Sequence, residues 1–257
     1  MKLTLYAIPG SHPCETVGAA LRLKGLPYER VDLLPGLSQF QQLARFGRRT
    51  VPGLQVDGYR VSGSTLILRT LDGIAPDPPL YPRDPAQRRA VEEAEHWGDE
   101  DLQDAARWIS VFALTRSPSA AKSFMADSSL PELPDAVAAG LTGVVFRAEL
   151  RALGPGAGGA ERRLRGLPRL LDHADALIAA GTIGGDAPNA ADLQVGASIA
   201  LLAKLEDLRP VIEDRPCGEL ARRLFPFPGQ IRAGALPAEW LRATSFPRAG
   251  GPVTSAV

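Results

Sequence analysis

The chain has 257 residues, enough to bury the core of one large domain or of two smaller ones. It carries 29 basic and 29 acidic side chains, with a pI of about 6.8. Nucleic acids and anionic membranes are bound by clustered positive charge, so this balance argues against either as the main partner. The first residues, MKLTLYAIPG, contain no long apolar segment, which predicts a cytoplasmic protein.

The chain has two cysteines, Cys14 and Cys217, and they lie far apart. Such a pair is not a disulfide framework, and it lacks the close spacing of a structural zinc site. We therefore expect no metal.

The first part of the chain predicts a strand, a helix and a second strand. Residues 3–6 alternate apolar and polar side chains, as in a strand. Pro13 at the first position of the following helix would make His12 its N-cap. Residues 28–33 (YERVDL) predict a second strand parallel to the first, and residues 39–46 predict a short helix.

The segment from Arg48 to Leu71, RRTVPGLQVDGYRVSGSTLILRTL, contains four local signals. Residues 50–52 are extended, because the residue before a proline avoids the helical conformation. Asp57-Gly58 predicts a hairpin between two short strands. Ser64 stands where a helix N-cap belongs, and Asp72-Gly73 ends that helix. The first 73 residues therefore predict βαβ followed by ββα, the thioredoxin-like arrangement.

A change of composition divides the chain into domains. We predict a thioredoxin-like, thiol-binding domain over residues 1–75 and a proline-rich linker over residues 76–85. An all-helical domain over residues 86–244 and a flexible tail over residues 245–257 follow.

Three signals organise the helical domain. Residues 86–113 predict one long amphipathic helix, and the run GPGAGG at 154–159 predicts a loop. Asn189 can cap a later helix while Asp192 reaches back, a variant of the capping box. Residues 193–205 are almost entirely apolar, which predicts a buried central helix.

Two motifs in this chain resemble the glutathione S-transferase family. The N-terminal domain of that family has V-P-x-L, a hairpin, and E-S-x-A-I before a helix. Four elements of this chain match that pattern: Val51-Pro52, Leu54, Ser64 and Ile67. Gly63 departs from it, since the family usually has an acidic residue there. Asn189 and Asp192 resemble the helix cap and the aspartate of the family's C-terminal domain.

The resemblance implies an α+β/α two-domain fold, with an all-α helical bundle after the thioredoxin-like domain. It also implies glutathione or another low-molecular-weight thiol as co-substrate, an electrophilic small molecule as acceptor, and a homodimer. From the sequence alone, a trans bond between Val51 and Pro52 is favoured, since cis is the minority form. The resemblance instead points to a cis bond, which would turn the N–H and C=O of Val51 toward a ligand.

The resemblance places the ligand thiol at the start of the first helix, where this chain has Ser11-His12-Pro13-Cys14. A free thiol, with a pKa of about 8.5, is only a few per cent thiolate at neutral pH. We predict that Ser11 donates a hydrogen bond to the bound thiolate and that the helix start adds positive potential. The alternative is that Ser11 only satisfies amides of the loop.

Three neighbouring side chains are further candidates. Cys14 is the second candidate catalytic residue, since a thiol near a helix start can form a mixed disulfide; the alternative is a small buried hydrophobe. His12 can act as an acid or a base, or be a partly exposed capping residue. Tyr6, near the end of the first strand, is a further choice for the hydroxyl.

Six residues are predicted to form the rest of the thiol-ligand site, and His12, described above, is one of them. Val51 and Pro52 present their backbone to its peptide portion. Ser64 binds a carboxylate with its hydroxyl and the helix-start amides, or acts as a cap alone. Arg49 is a carboxylate contact or an ordinary surface arginine. Gly63 provides no acid for the ammonium group, which predicts weak glutathione binding or a different small thiol.

We expect the electrophile to bind between the domains, partly against Trp97, Trp108 and Phe112 of the long helix. Three functions fit these observations. The favoured one is an enzyme that transfers a thiol to an electrophile. The second is thiol–disulfide exchange through Cys14, and the third is a non-catalytic binding protein, which the departure at Gly63 supports.

Overall fold

The computed structural model describes residues 1–131, 134–154, 157–244 and 246. Strands and helices alternate in its first part, where hydrophobic alternation and turn residues predict them. These elements are β1 (Leu3–Ala7), α1 (His12–Leu23), β2 (Glu29–Asp32), α2 (Ser38–Phe46), β3 (Gly53–Val56), β4 (Tyr59–Ser62) and α3 (Ser64–Ile74).

The four strands form one mixed sheet in the order β2-β1-β3-β4. β1 and β2 are parallel and are joined by α1, whereas β3 is antiparallel to both β1 and β4. Asp57 and Gly58 have φ angles of 46° and 96°, the left-handed values that a two-residue type I′ hairpin requires. The predicted βαβ–ββα arrangement is therefore confirmed.

Three predicted helix boundaries are wrong by one or two residues. Ser11, not His12, is the N-cap of α1, and Gly63, not Ser64, is the N-cap of α3. α3 also continues through Asp72-Gly73 to Ile74. The Asp72 carboxylate accepts a hydrogen bond from the side chain of Lys24.

Among the described residues of the second part of the chain, the named regular elements are helices. Its helices are α4 (Pro85–Trp97), α5 (Gln103–Arg116), α6 (Ala121–Phe124), α7 (Asp135–Leu153), α8 (Ala157–Ala179), α9 (Ala190–Ala203), α10 (Arg209–Ile212), α11 (Pro216–Leu224) and α12 (Ala238–Ala243). A π-helical segment, Gly98–Leu102, joins α4 to α5, so the predicted single helix over 86–113 is wrong in this detail. A Cβ at Gly98 would lie 3.0 Å from Val195 Cγ2, which shows how closely α9 approaches there.

The predicted loop at 154–159 is wrong in its second half. α8 begins at Ala157 and includes Gly158 and Gly159; residues 155 and 156 lie outside the described ranges. A Cβ on Gly159 would lie 2.3 Å from Cζ3 of Trp108. The glycine is therefore needed for close helix packing, not for a flexible turn.

α9 is the buried central helix that the sequence predicts. Asn189 Oδ1 accepts hydrogen bonds from the N–H groups of Ala191 (2.9 Å) and Asp192 (3.1 Å), and Asp192 Oδ2 accepts from Asn189 N–H (2.9 Å). This capping box is confirmed. The Thr16 hydroxyl of α1 donates to the carbonyl of Leu193 in α9 at 3.2 Å, so the helical part packs directly on the thioredoxin-like part.

The segment between α3 and α4 corresponds to the predicted linker, and the predicted boundaries stay predictions. Its Leu80 and Tyr81 side chains are buried. The predicted tail, residues 245–257, lies outside the described residues except for Phe246. Within the described ranges, no helix combines the length and the apolar character needed to cross a membrane.

Candidate functional site

A cavity of about 940 Å³ lies between the thioredoxin-like part and the helices α5 to α7. One side is formed by residues 8–13, 34–39 and 49–51. The opposite side is formed mainly by α5 and α7. The N-terminal end of α1 and the loop before β3 thus meet at one cavity, which is the arrangement that the resemblance implies.

Ser11 lines this cavity immediately before α1. Its backbone is extended (φ −75°, ψ 111°), and its carbonyl accepts hydrogen bonds from the N–H groups of Cys14 and Glu15 at 2.9 and 3.0 Å. The hydroxyl forms no capping bond to the helix. It interacts with the Cys14 thiol in the free protein, and it can turn to a ligand atom placed at the positive end of the helix.

Cys14 is fully buried and is not among the residues that line the cavity. Burial raises the pKa of its thiol to about 11, although a hydrogen bond with the Ser11 side chain opposes this shift. The thiolate fraction is then very small at neutral pH, so Cys14 has the character of a buried hydrophobe. Cys217 is also buried, which raises the pKa of its thiol.

His12 is not the partly exposed cap that the sequence predicts. It is the first residue of α1, its side chain is only 5% exposed, and it lines the cavity. Burial, followed by the positive charge of Arg107, lowers its pKa to about 3. The imidazole is therefore neutral at physiological pH and is a poor general base. Its Nε2 has no hydrogen-bond partner in the described part of the chain.

The bond between Val51 and Pro52 is cis, as the resemblance implies and contrary to the expectation from sequence alone. Val51 lines the cavity, and its N–H and C=O form no hydrogen bond with any described residue. The Pro52 carbonyl accepts a hydrogen bond from Gly63 N–H at 3.1 Å. This bond holds the beginning of α3 next to the loop that carries Val51.

Ser64 and Gly63 are close to Pro52 but do not line the cavity. Ser64 is 5% exposed and is the first helical residue. The prediction that Ser64 is the N-cap of this helix is therefore wrong. The amides at the beginning of α3 have no partner within the helix, as at every helix start. Gly63 has a φ of 95°, a conformation that favours glycine.

Arg49 is exposed and lines the cavity. Arg45 is not a cavity residue. Its guanidinium carbon lies 4.3 Å from the centre of the Tyr6 ring. Tyr6 also packs edge-on against Phe46, with 5.5 Å between ring centres, and does not line the cavity. This packing argues against Tyr6 as the hydroxyl donor.

The predicted aromatic wall of the electrophile site is wrong. Trp108 is buried and faces α8, Phe112 packs against Trp240, and Trp97 packs against His173. These aromatic side chains fill the core between helices, so they do not line the cavity.

α5 instead presents Arg107, Ser110, Val111 and Leu114 to the cavity. The spacing of these residues, three and four apart, is that of one helix face and was present in the sequence. Glu149 of α7 lines the same cavity. Burial raises the pKa of the Glu149 carboxyl, and Arg107 opposes that shift. No group of three or more potential metal ligands occurs among the residues that the structure describes.

Comparison with known proteins agrees with this geometry. Residues 5–79 match the family model described as the glutathione S-transferase N-terminal domain. Over 95 residues the chain is 41% identical to glutathione S-transferase Z1 of Arabidopsis thaliana. The aligned segment covers 35% of this chain and 42% of that protein. The chain thus matches less than half the length of that curated relative.

Solved structures extend the similarity to the whole fold. Glutathione transferase F7 from Populus trichocarpa superposes with a TM-score of 0.60 at 17% identity, covering 95% of this chain and all of that one. A glutathione transferase homologue from sulfitobacter, solved with bound glutathione, gives a TM-score of 0.53 at 18% identity, covering 77% of this chain and 80% of that one. The predicted two-domain fold is therefore confirmed.

Proposed function

We propose that this protein belongs to the glutathione S-transferase family and transfers glutathione or a similar thiol to an electrophilic small molecule. One observation carries the proposal. The backbone N–H and C=O of Val51 have no partner in the described part of the chain, and they belong to the cavity that Ser11 also lines. A peptide-like thiol that pairs with Val51 can direct its sulfur toward the start of α1.

Ser11 activates the thiol in this proposal. Lowering a thiol pKa by two units requires about 2.7 kcal/mol of preferential thiolate stabilisation. A hydrogen bond to a charged group contributes about 1.5–3 kcal/mol, and a helix start adds about 0.3–1 kcal/mol. The Ser11 hydroxyl, which interacts with the Cys14 thiol in the free protein, turns to the ligand sulfur. Together these two contributions supply about 1.8–4 kcal/mol, a range that includes the required stabilisation.

The reaction is a nucleophilic substitution or addition. The thiol proton leaves to solvent, and the thiolate forms a carbon–sulfur bond with the electrophile. In a substitution, the leaving group departs with the electron pair of the bond that breaks. The electrophile occupies the cavity beside α5 and α7, whose mainly apolar side chains reduce the water around the reacting atoms.

The remainder of the thiol ligand lies toward α3. Its carboxylate binds the first amides of α3 and the Ser64 hydroxyl, since helix starts favour anions. Arg49, exposed at the cavity, is a second carboxylate contact. Gly63 has no side chain to pair with an ammonium group, so we expect glutathione to bind in the low-millimolar rather than the low-micromolar range.

The other two functions have unequal support. Thiol–disulfide exchange through Cys14 requires an accessible thiolate, whereas this thiol is buried and its pKa is about 11. A non-catalytic binding role is favoured by one observation, the glycine at position 63. The cytoplasmic location and the homodimer remain predictions; sedimentation equilibrium would test the dimer.

Calorimetry with glutathione tests the thiol site. We expect the wild-type protein to bind and Ser64→Ala to bind about 10-fold more weakly, which corresponds to about 1.4 kcal/mol. Thr70→Val is the matched control, because the Thr70 hydroxyl is on the same helix but bonds the Leu66 carbonyl at 2.8 Å. No heat at millimolar glutathione would contradict the use of glutathione.

Turnover with 1-chloro-2,4-dinitrobenzene tests the role of Ser11. Ser11→Ala should lower kcat by about 10- to 100-fold with little change in glutathione affinity, because the hydrogen bond stabilises the thiolate more than the thiol. Ser11→Thr, which retains the hydroxyl, should recover part of the rate. Glutathione binding without turnover on any electrophile would favour the binding role instead.

A further inference from the structure

The α5 and α7 side of the cavity contains polar groups that the proposed thiol site does not use. Arg107 and Ser110 are three residues apart on one face of α5, and both line the cavity. Glu149 approaches from α7, and His12 approaches from the start of α1. Four polar side chains from three helices therefore converge on a cavity that is otherwise mainly apolar.

Two of these groups are deeply buried without a partner. Ser110 is 3% exposed and His12 is 5% exposed. Ser110 Oγ and His12 Nε2 have no hydrogen-bond partner among residues 1–131, 134–154, 157–244 and 246. Buried polar atoms are normally hydrogen-bonded. Because both side chains line the same cavity, a polar group of a ligand can satisfy them.

Arg107 is one of the basic residues that line the cavity. Its guanidinium forms no hydrogen bond and no ion pair with the described residues, although it is partly buried. Its field lowers the pKa of His12 and opposes the rise in the pKa of Glu149. Its field also opposes the rise in the pKa of Asp99. Asp99 Oδ1 already accepts hydrogen bonds from two glutamine side chains at 2.9 Å. The donors of Arg107 thus remain available to a ligand.

The surroundings of this polar cluster suit a hydrophobic body. Val111 and Leu114 of α5 face the cavity, as do Val145, Phe146 and Leu153 of α7. These side chains offer dispersion contacts and no hydrogen bonds, so a small charged molecule alone would leave much of the cavity unfilled.

We propose that the electrophile is an apolar or aromatic molecule that carries a carboxylate, and that Arg107 binds this carboxylate with Ser110 as a second donor. This inference rests on the proposed function, because it names the class of its acceptor. A guanidinium matches the two oxygens of a carboxylate with two parallel N–H groups. Burial raises the pKa of the Glu149 carboxyl, which lowers the cost of placing a ligand carboxylate beside it.

Equilibrium binding tests the subsite without any reaction. The probes are 3-nitrobenzoate and methyl 3-nitrobenzoate, which have the same ring and no leaving group. Their Kd values are measured by calorimetry on the full chain, with and without glutathione. We expect the acid to bind about 10-fold more tightly than the ester, equivalent to about 1.4 kcal/mol.

Three variants assign that preference to Arg107. Arg107→Met should reduce the acid-to-ester ratio to about one, and Arg107→Lys should retain part of it, since a lysine keeps the charge but loses the paired donors. Arg116→Met is the matched control, because Arg116 is exposed in the last turn of the same helix and is not a cavity residue. It should preserve the wild-type ratio.

A reactive pair then tests the acceptor class. Glutathione is combined with 4-chloro-3-nitrobenzoate or with its methyl ester, and kcat/KM is divided by the uncatalysed rate constant of each compound. The thiolate attacks the ring carbon that bears chlorine; the carbon–sulfur bond forms, chloride leaves with its electron pair, and the thiol proton goes to solvent. We expect the normalised value for the acid to exceed that for the ester about 10-fold, and Arg107→Met to remove this excess.

The outcomes separate this inference from the proposed function. Equal binding of the two nitrobenzoate probes, no binding of either, or a preference that survives Arg107→Met would overturn the carboxylate subsite. A clear preference for 3-nitrobenzoate without any thiol conjugation would support the subsite and overturn the transferase function. Conjugation of 1-chloro-2,4-dinitrobenzene without a preference for 3-nitrobenzoate would support the transferase function and overturn the carboxylate subsite.

Discussion

Lys24 Nζ lies 2.9 Å from Asp72 Oδ1, although the Lys24 side chain has no exposed surface. The same nitrogen donates to the carbonyls of Ala75 at 2.6 Å and Pro78 at 2.9 Å. Asp72 Oδ1 also accepts the backbone N–H of Leu80 at 2.7 Å. One buried ion pair therefore fixes the path of the chain between α3 and α4, and with it the position of the helical part on the thioredoxin-like part.

We expect Lys24→Met to lower the free energy of unfolding by about 3 kcal/mol. Removing one partner of a buried pair leaves the other charge uncompensated, which typically costs about 3–5 kcal/mol. The partial exposure of Asp72, 19%, places the expected cost at the lower end. Urea unfolding followed by circular dichroism measures the change.

The matched control is Lys2→Met. Lys2 also pairs with an acid, Glu29, at 3.5 Å, but their side chains are 78% and 57% exposed. Exposed pairs contribute about 0–1 kcal/mol, so this substitution should change stability very little. Equal effects of the two substitutions would show that the Lys24 pair does not anchor the connecting segment.

The carboxyl of Glu95 predicts a pH dependence of stability. Its side chain is 1% exposed, and its Oε1 accepts the Tyr81 hydroxyl at 2.7 Å. Burial raises the pKa of Glu95 to about 7, and the acids Asp99 and Glu92 add to this shift, while Tyr81 and Arg69 oppose it. The folded protein thus holds the proton more tightly than the unfolded chain does.

The sign of the effect follows from this difference in proton affinity. The tighter binding of the Glu95 proton stabilises the folded protein. This stabilisation is fully present below the ordinary glutamate pKa of about 4.5, and it is lost as the pH rises through about 7. The loss is about 1.4 kcal/mol per pH unit over that window, or about 3 kcal/mol in total. We expect Glu95→Gln, which remains an acceptor for Tyr81, to remove this dependence.

The measurement is the free energy of unfolding in urea at several values between pH 5 and pH 8. The difference between Glu95→Gln and the wild-type protein should grow in favour of the variant as the pH rises. Glu93→Gln is the control, because Glu93 is an exposed neighbour on the same helix. Parallel curves for the wild-type protein and Glu95→Gln would contradict the raised pKa.

The contact between Gly159 and Trp108 predicts opposite effects for two adjacent glycines. Gly159→Ala would place its Cβ 2.3 Å from Trp108 Cζ3, and the ring is only 2% exposed, so it has little room to move. Overpacking of this kind costs about 1–3 kcal/mol. Gly158 has no atom within 4 Å of its Cβ position. Gly158→Ala should therefore be neutral or stabilise the helix by up to about 1 kcal/mol.

Thermal unfolding of both glycine variants provides the measurement. Gly159→Ala should lower the Tm by several degrees, and Gly158→Ala should leave it unchanged or raise it. A similar decrease in both variants would indicate that the beginning of α8 depends on glycine flexibility instead of on close packing against Trp108.

Features that depend on neighbouring residues were predictable from the sequence. Asp57-Gly58 adopts the hairpin conformation that its residue types require. Asn189 and Asp192 form their capping box because each bond joins groups only two or three residues apart. The same logic predicted the sequence in which strands and helices follow one another along the thioredoxin-like part of the chain.

Features that depend on how helices rotate against each other were not predictable. The face of α5 that meets the cavity carries Arg107 and Ser110, whereas the more conspicuous Trp108 turns toward α8. The burial of His12 likewise depends on the packing of α1 against the helical domain. Local sequence signals do not specify such long-range contacts, so only the structure shows that Arg107, Ser110 and His12 line the same cavity.

The two buried thiols predict slow alkylation of the native protein. Cys14 and Cys217 are both free and fully buried. Burial raises the pKa of Cys14 to about 11, so the reactive thiolate is scarce at pH 8. We expect native protein treated with iodoacetamide at pH 8 to react at least 100-fold more slowly than protein unfolded in urea. Mass spectrometry of the intact chain counts the added groups.

Single-cysteine variants assign the reaction to each thiol. Cys217→Ala leaves Cys14 as the thiol to be labelled, and Cys14→Ala leaves Cys217, so each unfolded variant should gain a single group. Between pH 8 and pH 10, labelling of native Cys217→Ala should keep rising with pH, because Cys14 titrates near 11. Fast labelling of native Cys14 at pH 8 would instead show an accessible thiolate and would revive thiol–disulfide exchange as the function of this site.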